Sequence, residues 1–163
     1  MERALELAGF FAAHAVWCIS DGETLCTLLG QESAAKGRNM VRFALERIED
    51  GVAKGQAYLA SNPENSERAA LVYDGYLTSP SGRTDALLVV VRSYAPATAT
   101  LTVAVPYRNA GSADGFAVYR PKFIDWQGPG EPDHHAFSAA FSRGVESHEK
   151  ARDVWSKALD DAP

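Results

Sequence analysis

The sequence predicts an α+β fold made of two layers, with an antiparallel sheet of four to five strands, one long central helix and helices at both termini. Residues 68–107 contain three segments rich in strand-forming residues, separated by short connections of Ser, Pro, Gly and Thr, and this pattern is typical of a meander. Helical spacing of apolar residues on both sides of that region predicts the helices. A chain of 163 residues suits one domain spanning residues 1–163 and is short for two.

The first helix is predicted over Glu2–Ile19, where apolar residues form two rows. One row contains Leu5, Ala8, Ala12, Val16 and Ile19, and the other contains Leu7, Phe10, His14 and Trp17. A helix with one side in water carries a single apolar stripe. The two rows therefore predict that this helix is buried between layers or against a second subunit.

The long central helix is predicted over residues 39–61. Asn39 is a suitable N-cap, and the Asn-Pro pair after residue 61 ends the helical pattern. The apolar residues that recur at helical spacing are Val41, Leu45, Ile48, Val52 and Leu59. Gly51 and Gly55 weaken this helix but allow another element to pack closely against it.

The strands are predicted at residues 24–31, 68–78, 85–94, 99–107 and 115–120. The middle three form a meander, because the connections between them are short. The central strand of the meander is apolar on both faces. Such a strand is usually covered on both sides of the sheet.

Pairing Ser79 with Thr84 across the first hairpin assigns the strand residues to two faces. One face contains Leu71, Tyr73, Leu88, Val90, Val103 and Val105. The other contains Val72, Asp74, Tyr76, Leu87, Val89, Val91, Thr100 and Thr102. Because the first set is the more uniformly apolar, we expect it to face the main core.

The last helix is predicted over residues 132–159, after an irregular Gly- and Pro-rich loop at residues 123–133. Its apolar stripe contains Phe137, Phe141, Val145, His148, Trp155 and Leu159. A single stripe indicates that one side of this helix packs on the rest of the domain.

The net charge of −5 and the scattered basic residues argue against nucleic acid as a partner, because phosphate binding needs clustered basic residues. The longest apolar stretch, residues 7–19, contains 13 residues, whereas a helix needs about 20 to cross a bilayer. We therefore expect neither nucleic acid nor a membrane as a partner.

The two cysteines, Cys18 and Cys26, lie on separate predicted elements among apolar neighbours. Such residues are typical of free core thiols in a reducing compartment, and a disulfide is the less favoured alternative. Glu6 interrupts the apolar run in a way that is unusual for a signal peptide. The sequence therefore predicts a soluble, cytoplasmic protein.

His148 lies on the apolar stripe of the last helix, between Phe141 and Trp155. The pair His148-Glu149 begins like the helix motif of zinc proteases, but Arg152 stands where the second histidine ligand belongs. We therefore expect His148 to be a packed, hydrogen-bonded core residue.

His14 has a similar position on the first helix, between Phe10 and Trp17. If the first and last helices pack together, the imidazoles of His14 and His148 approach one another. A buried pair of histidines would have perturbed pKa values and would respond to pH or bind a metal.

The densest cluster of potential metal ligands is at residues 131–135 and contains Glu131, Asp133, His134 and His135. Adjacent histidines point to different sides of a helix, so a metal site here needs a further ligand from Asp21, Glu23 or Glu32. The alternative is a helix start at which Asp133 complements the helix dipole. We expect the alternative, with no metal and no cofactor.

Tyrosine and arginine recur in the strand region, and both are enriched at protein interfaces and in anion pockets. The candidate ligand-binding residues are Tyr76, Arg92, Tyr107, Arg108, Tyr119 and Arg120. Tyrosine is also common in ordinary strands, which is the structural alternative. The pairs at residues 107–108 and 119–120 flank one loop, so we expect them to be close in space.

The predicted function is a non-enzymatic binding or assembly module that presents a sheet face or a pocket to a protein or a small anionic ligand. An excess of apolar faces over the helices available to cover them favours a homodimer. The alternative is a small enzyme whose site is formed by Asp21, Glu32, Asp133, His134 and His135. That site requires these groups to converge in one pocket.

Overall fold

The computed structural model describes residues 1–161, and within them four helices accompany a sheet of seven antiparallel strands. In chain order the elements are α1 (Glu2–Ile19), β1 (Leu28–Ser33), β2 (Gly37–Arg42), α2 (Ile48–Ser61), β3 (Arg68–Ser79), β4 (Gly82–Ser93), β5 (Ala99–Arg108), β6 (Ala117–Val118), β7 (Lys122–Gln127), α3 (His134–Ser147) and α4 (Ala151–Ala158). The strand order is β2-β1-β3-β4-β5-β6, and β7 also pairs with β5. The α+β class and the antiparallel sheet are confirmed.

α1 lies against one face of the sheet and is covered on its outer side by α3 and α4. Beneath it, Val72, Val89 and Val103 are completely buried. The row with Leu5 and Val16 is buried, whereas in the other row Phe10 and His14 are partly buried and Trp17 is 38% exposed. The predicted burial of this helix between layers is confirmed.

α2 packs on the opposite face of the sheet, over β1 and β3. A second, smaller core forms there around Leu29, Phe43, Leu59 and Leu71. Helices thus lie on both faces of the sheet, whereas the sequence predicted two layers. Gly55 permits the close approach, because a Cβ atom there would lie 2.6 Å from Cδ1 of Leu71.

The prediction of one central helix over residues 39–61 is wrong in its first part. Residues 37–42 form strand β2, paired with β1, and the helix begins only at Ile48. Asn39 is not an N-cap: it lies opposite Gln31, whose side-chain amide donates to the Asn39 side-chain oxygen at 2.9 Å. Pairing with β1 therefore outweighs the helical spacing of the apolar residues in this segment.

The predicted count of four to five strands is too low. β2 accounts for one of the additional strands, and β7 lies in a segment that was expected to be an irregular loop. β7 is paired with the first half of β5 and has an irregularity between Thr102 and Val103. The strand expected at residues 115–120 contains only Ala117–Val118, and the one expected at residues 24–31 begins at Leu28.

The long C-terminal helix is interrupted at His148. Its backbone there is extended (φ −86°, ψ 102°), so α3 ends at Ser147 and α4 begins at Ala151. The side chain of His148 takes part in the break, because its Nδ1 accepts the backbone N–H of Ala151 at 3.1 Å. The helix expected over residues 132–159 is therefore two helices.

The predicted main core face of the sheet is wrong. The first hairpin pairs Ser79 with Gly82 and not with Thr84. The register therefore differs from the predicted one by two residues, and because side chains alternate between the two faces, the faces of β3 and β4 are as predicted. The side chains of β5 lie on the opposite faces from those predicted, because Val103 pairs with Val89. Val103 therefore joins Val72 under α1, and the face predicted to be less apolar forms the main core.

Candidate functional site

The predicted ligand-binding residues do not form one site. Arg108 and Tyr119 are adjacent, as expected from the loop that they flank, with the Arg108 guanidinium 3.3 Å from the Tyr119 hydroxyl. Arg108 also donates to the carbonyls of Asp114 and Gly115, and its guanidinium is 3.7 Å from a carboxylate oxygen of Asp160. These contacts make Arg108 a residue that holds the loop between β5 and β6.

Tyr107 is buried under the same end of the sheet. Its hydroxyl donates to the Asp74 carboxylate at 2.8 Å. Burial raises the pKa of Asp74, and the hydrogen bond from Tyr107 opposes that rise. This pair satisfies a half-buried carboxylate at the margin of the core.

Tyr76 and Arg92 lie near opposite ends of the β3–β4 pair, where Tyr76 pairs with Asp85 and Arg92 pairs with Ala69. Tyr76 is 50% exposed and lies under the Arg83 guanidinium, at 3.6 Å from the ring centroid. Arg92 donates to the Thr100 hydroxyl on β5 at 3.2 Å. Arg120, the last of the predicted set, lies at the rim of a pocket described below.

The carboxylates and histidines of the possible enzyme site do not come together. α1 and α3 run in the same direction, because Phe137 lies beside Ala4 and His148 contacts His14. Asp133 precedes α3 and Asp21 follows α1, so they lie at opposite ends of a helix pair about 27 Å long. Asp133 caps α3 by accepting the Ala136 N–H at 3.0 Å.

The other members of that set have local contacts. Glu32 forms ion pairs with Arg38 and Arg68, and the His134 ring stacks on Phe123. His135 is exposed. No group of three or more His, Cys, Asp or Glu side chains within residues 1–161 is arranged to hold a metal ion.

A pocket with an apolar floor lies between α3, α4 and the segment that joins β6 to β7. Its volume is about 450 Å³, within the range of pockets that hold small molecules. The floor is formed by Phe123, Phe141, Val145 and Trp155. Phe141 and Trp155 belong to the apolar stripe that the sequence predicted for the last helix.

Polar groups line the wall and rim of this pocket. Ser138 and Ser142 lie one turn apart on α3, and Arg152 and Ser156 lie one turn apart on α4. The three serine hydroxyls have no hydrogen-bond partner among residues 1–161. They are therefore available to a ligand.

The two guanidiniums of the pocket have only exposed ion pairs. Arg120 is 3.0 Å from an Asp161 carboxylate oxygen, and both side chains are largely exposed. Arg152 is 3.9 Å from Asp153. Exposed pairs of this kind contribute about 0–1 kcal/mol, so a bound anion can replace the carboxylates. Glu146 also lines the pocket and disfavours anions on its own side.

A second group of polar residues surrounds His14 and His148. Nδ1 of His14 and Nε2 of His148 are 3.2 Å apart, so the two imidazoles meet. Phe10 stacks on His148 with a centroid distance of 4.5 Å, and Trp17 contacts both rings edge-on. His148 is 8% exposed, which agrees with the packed, hydrogen-bonded residue predicted from its position.

Cations surround these rings. Arg38 lies over Phe10 at 4.6 Å and Lys150 over Trp17 at 5.6 Å from the ring centroids, while Arg42 is 3.5 Å from His14. Burial, together with His148 and Arg42, lowers the pKa of His14. Burial also lowers the pKa of His148, and the Lys150 charge acts in the same direction. Both lowered pKa values favour the uncharged imidazoles at neutral pH.

The serines of the pocket and Arg42 were not predicted from the sequence. Ser138 and Ser142 lie four residues apart beside the apolar stripe of α3, and this spacing of polar residues next to the stripe was the available signal. Arg42 was assigned to the central helix, so its position on a strand beside α1 was not predictable from that assignment.

The helices of residues 1–161 include none that is both long and apolar enough to cross a membrane. In comparisons with known proteins, the chain matches no family model, and neither a curated protein nor a solved structure resembles it significantly.

Proposed function

We propose that this protein is a non-enzymatic binding module, and that its ligand is a small anion with an apolar part seated between α3 and α4. The observation that carries this proposal is the pocket of about 450 Å³. An aromatic floor suits a ring or a short hydrocarbon chain. The free hydroxyls and the two guanidiniums at the rim suit an anionic group.

A binding function is favoured over catalysis by the arrangement of the titratable groups. The pocket contains no histidine or cysteine among its described lining residues. Asp21, Glu32 and Asp133, which a His/carboxylate enzyme would use, lie outside it, and Asp21 and Asp133 are at opposite ends of the α1–α3 pair. General acid–base catalysis requires such groups within hydrogen-bond reach of one substrate.

The proposal is tested with anilinonaphthalene sulfonate, an anion with an apolar ring system. We expect saturable binding of one molecule per chain, with amide chemical shifts that change in α3 and α4. Ser142→Trp fills the pocket and should abolish binding. Arg152→Gln should weaken it about tenfold, the value of one charge-assisted hydrogen bond.

Arg47→Gln is the matched control for Arg152→Gln. Arg47 also lies at a helix start and has a carboxylate at 3.9 Å, but it is on the opposite face of the sheet. Binding of the probe that is unchanged in both pocket variants, or that changes shifts elsewhere, would contradict the assignment of this pocket.

We also propose that the protein is a cytoplasmic homodimer. Its two cysteines are free, which suits a reducing compartment. The first helix, for which burial against a second subunit was one expectation, and the sheet face with Val89 are both buried within one chain. The remaining candidate is the part of the opposite sheet face that α2 leaves open, where Tyr73, Leu88 and Val90 are partly exposed.

A further inference from the structure

A guanidinium group and an imidazole nitrogen face one another beside α1. The Arg42 guanidinium lies 3.5 Å from Nε2 of His14. Arginine has donors only, so whether this pair forms a hydrogen bond depends on whether His14 Nε2 carries a hydrogen.

The hydrogen on His14 is fixed by a chain of contacts that begins at α4. The Ala151 N–H donates to Nδ1 of His148, so neutral His148 carries its hydrogen on Nε2. That nitrogen is 3.2 Å from Nδ1 of His14 and donates to it. Neutral His14 therefore carries its hydrogen on Nε2, toward Arg42.

The His14 Nε2–H and the Arg42 guanidinium are both donors and cannot bond to each other. One acceptor atom placed between them can accept a hydrogen bond from each. The space between Arg42 and His14 Nε2 is at the surface, since the Arg42 side chain is exposed. No carboxylate among residues 1–161 forms an ion pair with Arg42 or Lys150. Arg42 and Lys150 are therefore not neutralised by a salt bridge within the described part of the chain.

We infer that His14 and Arg42 form a binding site for a phosphate-class oxyanion, either inorganic phosphate or a phosphomonoester. One oxygen accepts from His14 Nε2–H and from the Arg42 guanidinium. A dianion suits the site better than a carboxylate, because Lys150, which lies over the neighbouring Trp17 ring, adds a second positive charge. Trp17, which is 38% exposed, provides an adjacent ring. This site is separate from the α3–α4 pocket and does not depend on it.

The test is a titration of isotope-labelled protein with inorganic phosphate near neutral pH, followed by the imidazole nitrogen signals. We expect His14 to be the Nε2–H tautomer before addition. Phosphate should then shift the signals of His14 and Arg42 saturably, with a dissociation constant of roughly 1–10 mM for an exposed two-donor site. Arg42→Gln should weaken binding about tenfold.

Arg47→Gln is the control for a lost surface cation and should leave phosphate binding unchanged. Phenyl phosphate and glycerol phosphate distinguish the sources: tighter binding of the phenyl ester supports a ligand that also stacks on Trp17, and equal binding supports recognition of the phosphate alone. Acetate that binds as tightly as phosphate would overturn the phosphate class. An Nδ1–H tautomer of His14, or shifts that persist in Arg42→Gln, would overturn the site.

Discussion

Gly9 of α1 and Gly144 of α3 lie at the crossing of the two helices, and each faces the backbone of the other helix. A Cβ atom at Gly9 would lie 2.0 Å from the carbonyl oxygen of Phe141, and one at Gly144 would lie 2.0 Å from that of Glu6. The two helix axes approach this closely only because neither residue has a side chain. The contact between His14 and His148 depends on the same crossing.

Gly9→Ala should destabilise the protein. The added methyl group forces the helices apart, at a cost of about 3 kcal/mol for overpacking, and the better helix propensity of Ala recovers only about 1 kcal/mol. Urea unfolding should show a net loss of about 2 kcal/mol. Gly111→Ala is the control, because its nearest neighbour would be at 3.5 Å, and a loss of equal size there would refute the explanation.

The His14–His148 pair should make stability fall in mild acid. Both pKa values are lowered in the folded protein and return to about 6.5 in the unfolded chain. Below that pH the unfolded chain binds more protons, so the free energy of unfolding decreases as the pH falls from 6.5 toward the folded-state values. The charged groups that face the pair are Arg42 from β2 and Lys150 from the α3–α4 link. Unfolding curves across this range measure the effect.

His148→Asn separates the two roles of His148. The asparagine oxygen can still accept the Ala151 N–H, whereas the titrating imidazole is lost. We expect the acid sensitivity to decrease while most of the stability at neutral pH remains. His148→Leu should lose about 1–2 kcal/mol at neutral pH, because it also removes the acceptor at the start of α4. An unchanged pH profile in both variants would show that other groups cause it.

Tyr107→Phe should destabilise the protein most when Asp74 is ionised. The tyrosine hydroxyl stabilises the charged carboxylate, so its removal raises the pKa of Asp74 further above the ordinary value. The expected cost is about 1–2 kcal/mol at neutral pH and less in acid, where Asp74 is protonated. Tyr76→Phe is the control, since Tyr76 is exposed. Equal losses at both pH values would contradict the pairing.

The sequence predicted those elements whose pattern is long. α1 was identified by its two apolar rows, and β4 by the apolar run that includes Val89. Residues 37–42 were misassigned because a six-residue strand shows few alternations, and the spacing of Val41 and Leu45 also fits a helix. Pairing with β1 makes this segment a strand and not the start of the helix.

The candidate sites depend on contacts that no local pattern contains. The apolar stripes placed His14 and His148 on buried helix faces, but their meeting follows from the parallel packing of α1 and α3 at Gly9. The orientation of β5 depends on the connection after β4, whose length does not determine which side Val103 faces. The pocket requires the break at His148, because one continuous helix would carry Arg152 away from α3.

The homodimer prediction now concerns the open sheet face, and Leu88→Glu tests it. Leu88 is partly exposed on the face opposite α1, so a charge there should be tolerated in a monomer but not in an apolar contact. Light scattering should give twice the 17.6 kDa chain mass for the unmodified protein and the single mass for Leu88→Glu. Leu45→Glu is the control, because Leu45 is 44% exposed and lies in the connection between β2 and α2, outside the strands. Val89→Glu should unfold the chain instead, since Val89 is fully buried under α1. A monomeric unmodified protein at high concentration would refute the dimer and would mean that Tyr73, Leu88 and Val90 form an exposed patch small enough for a monomer.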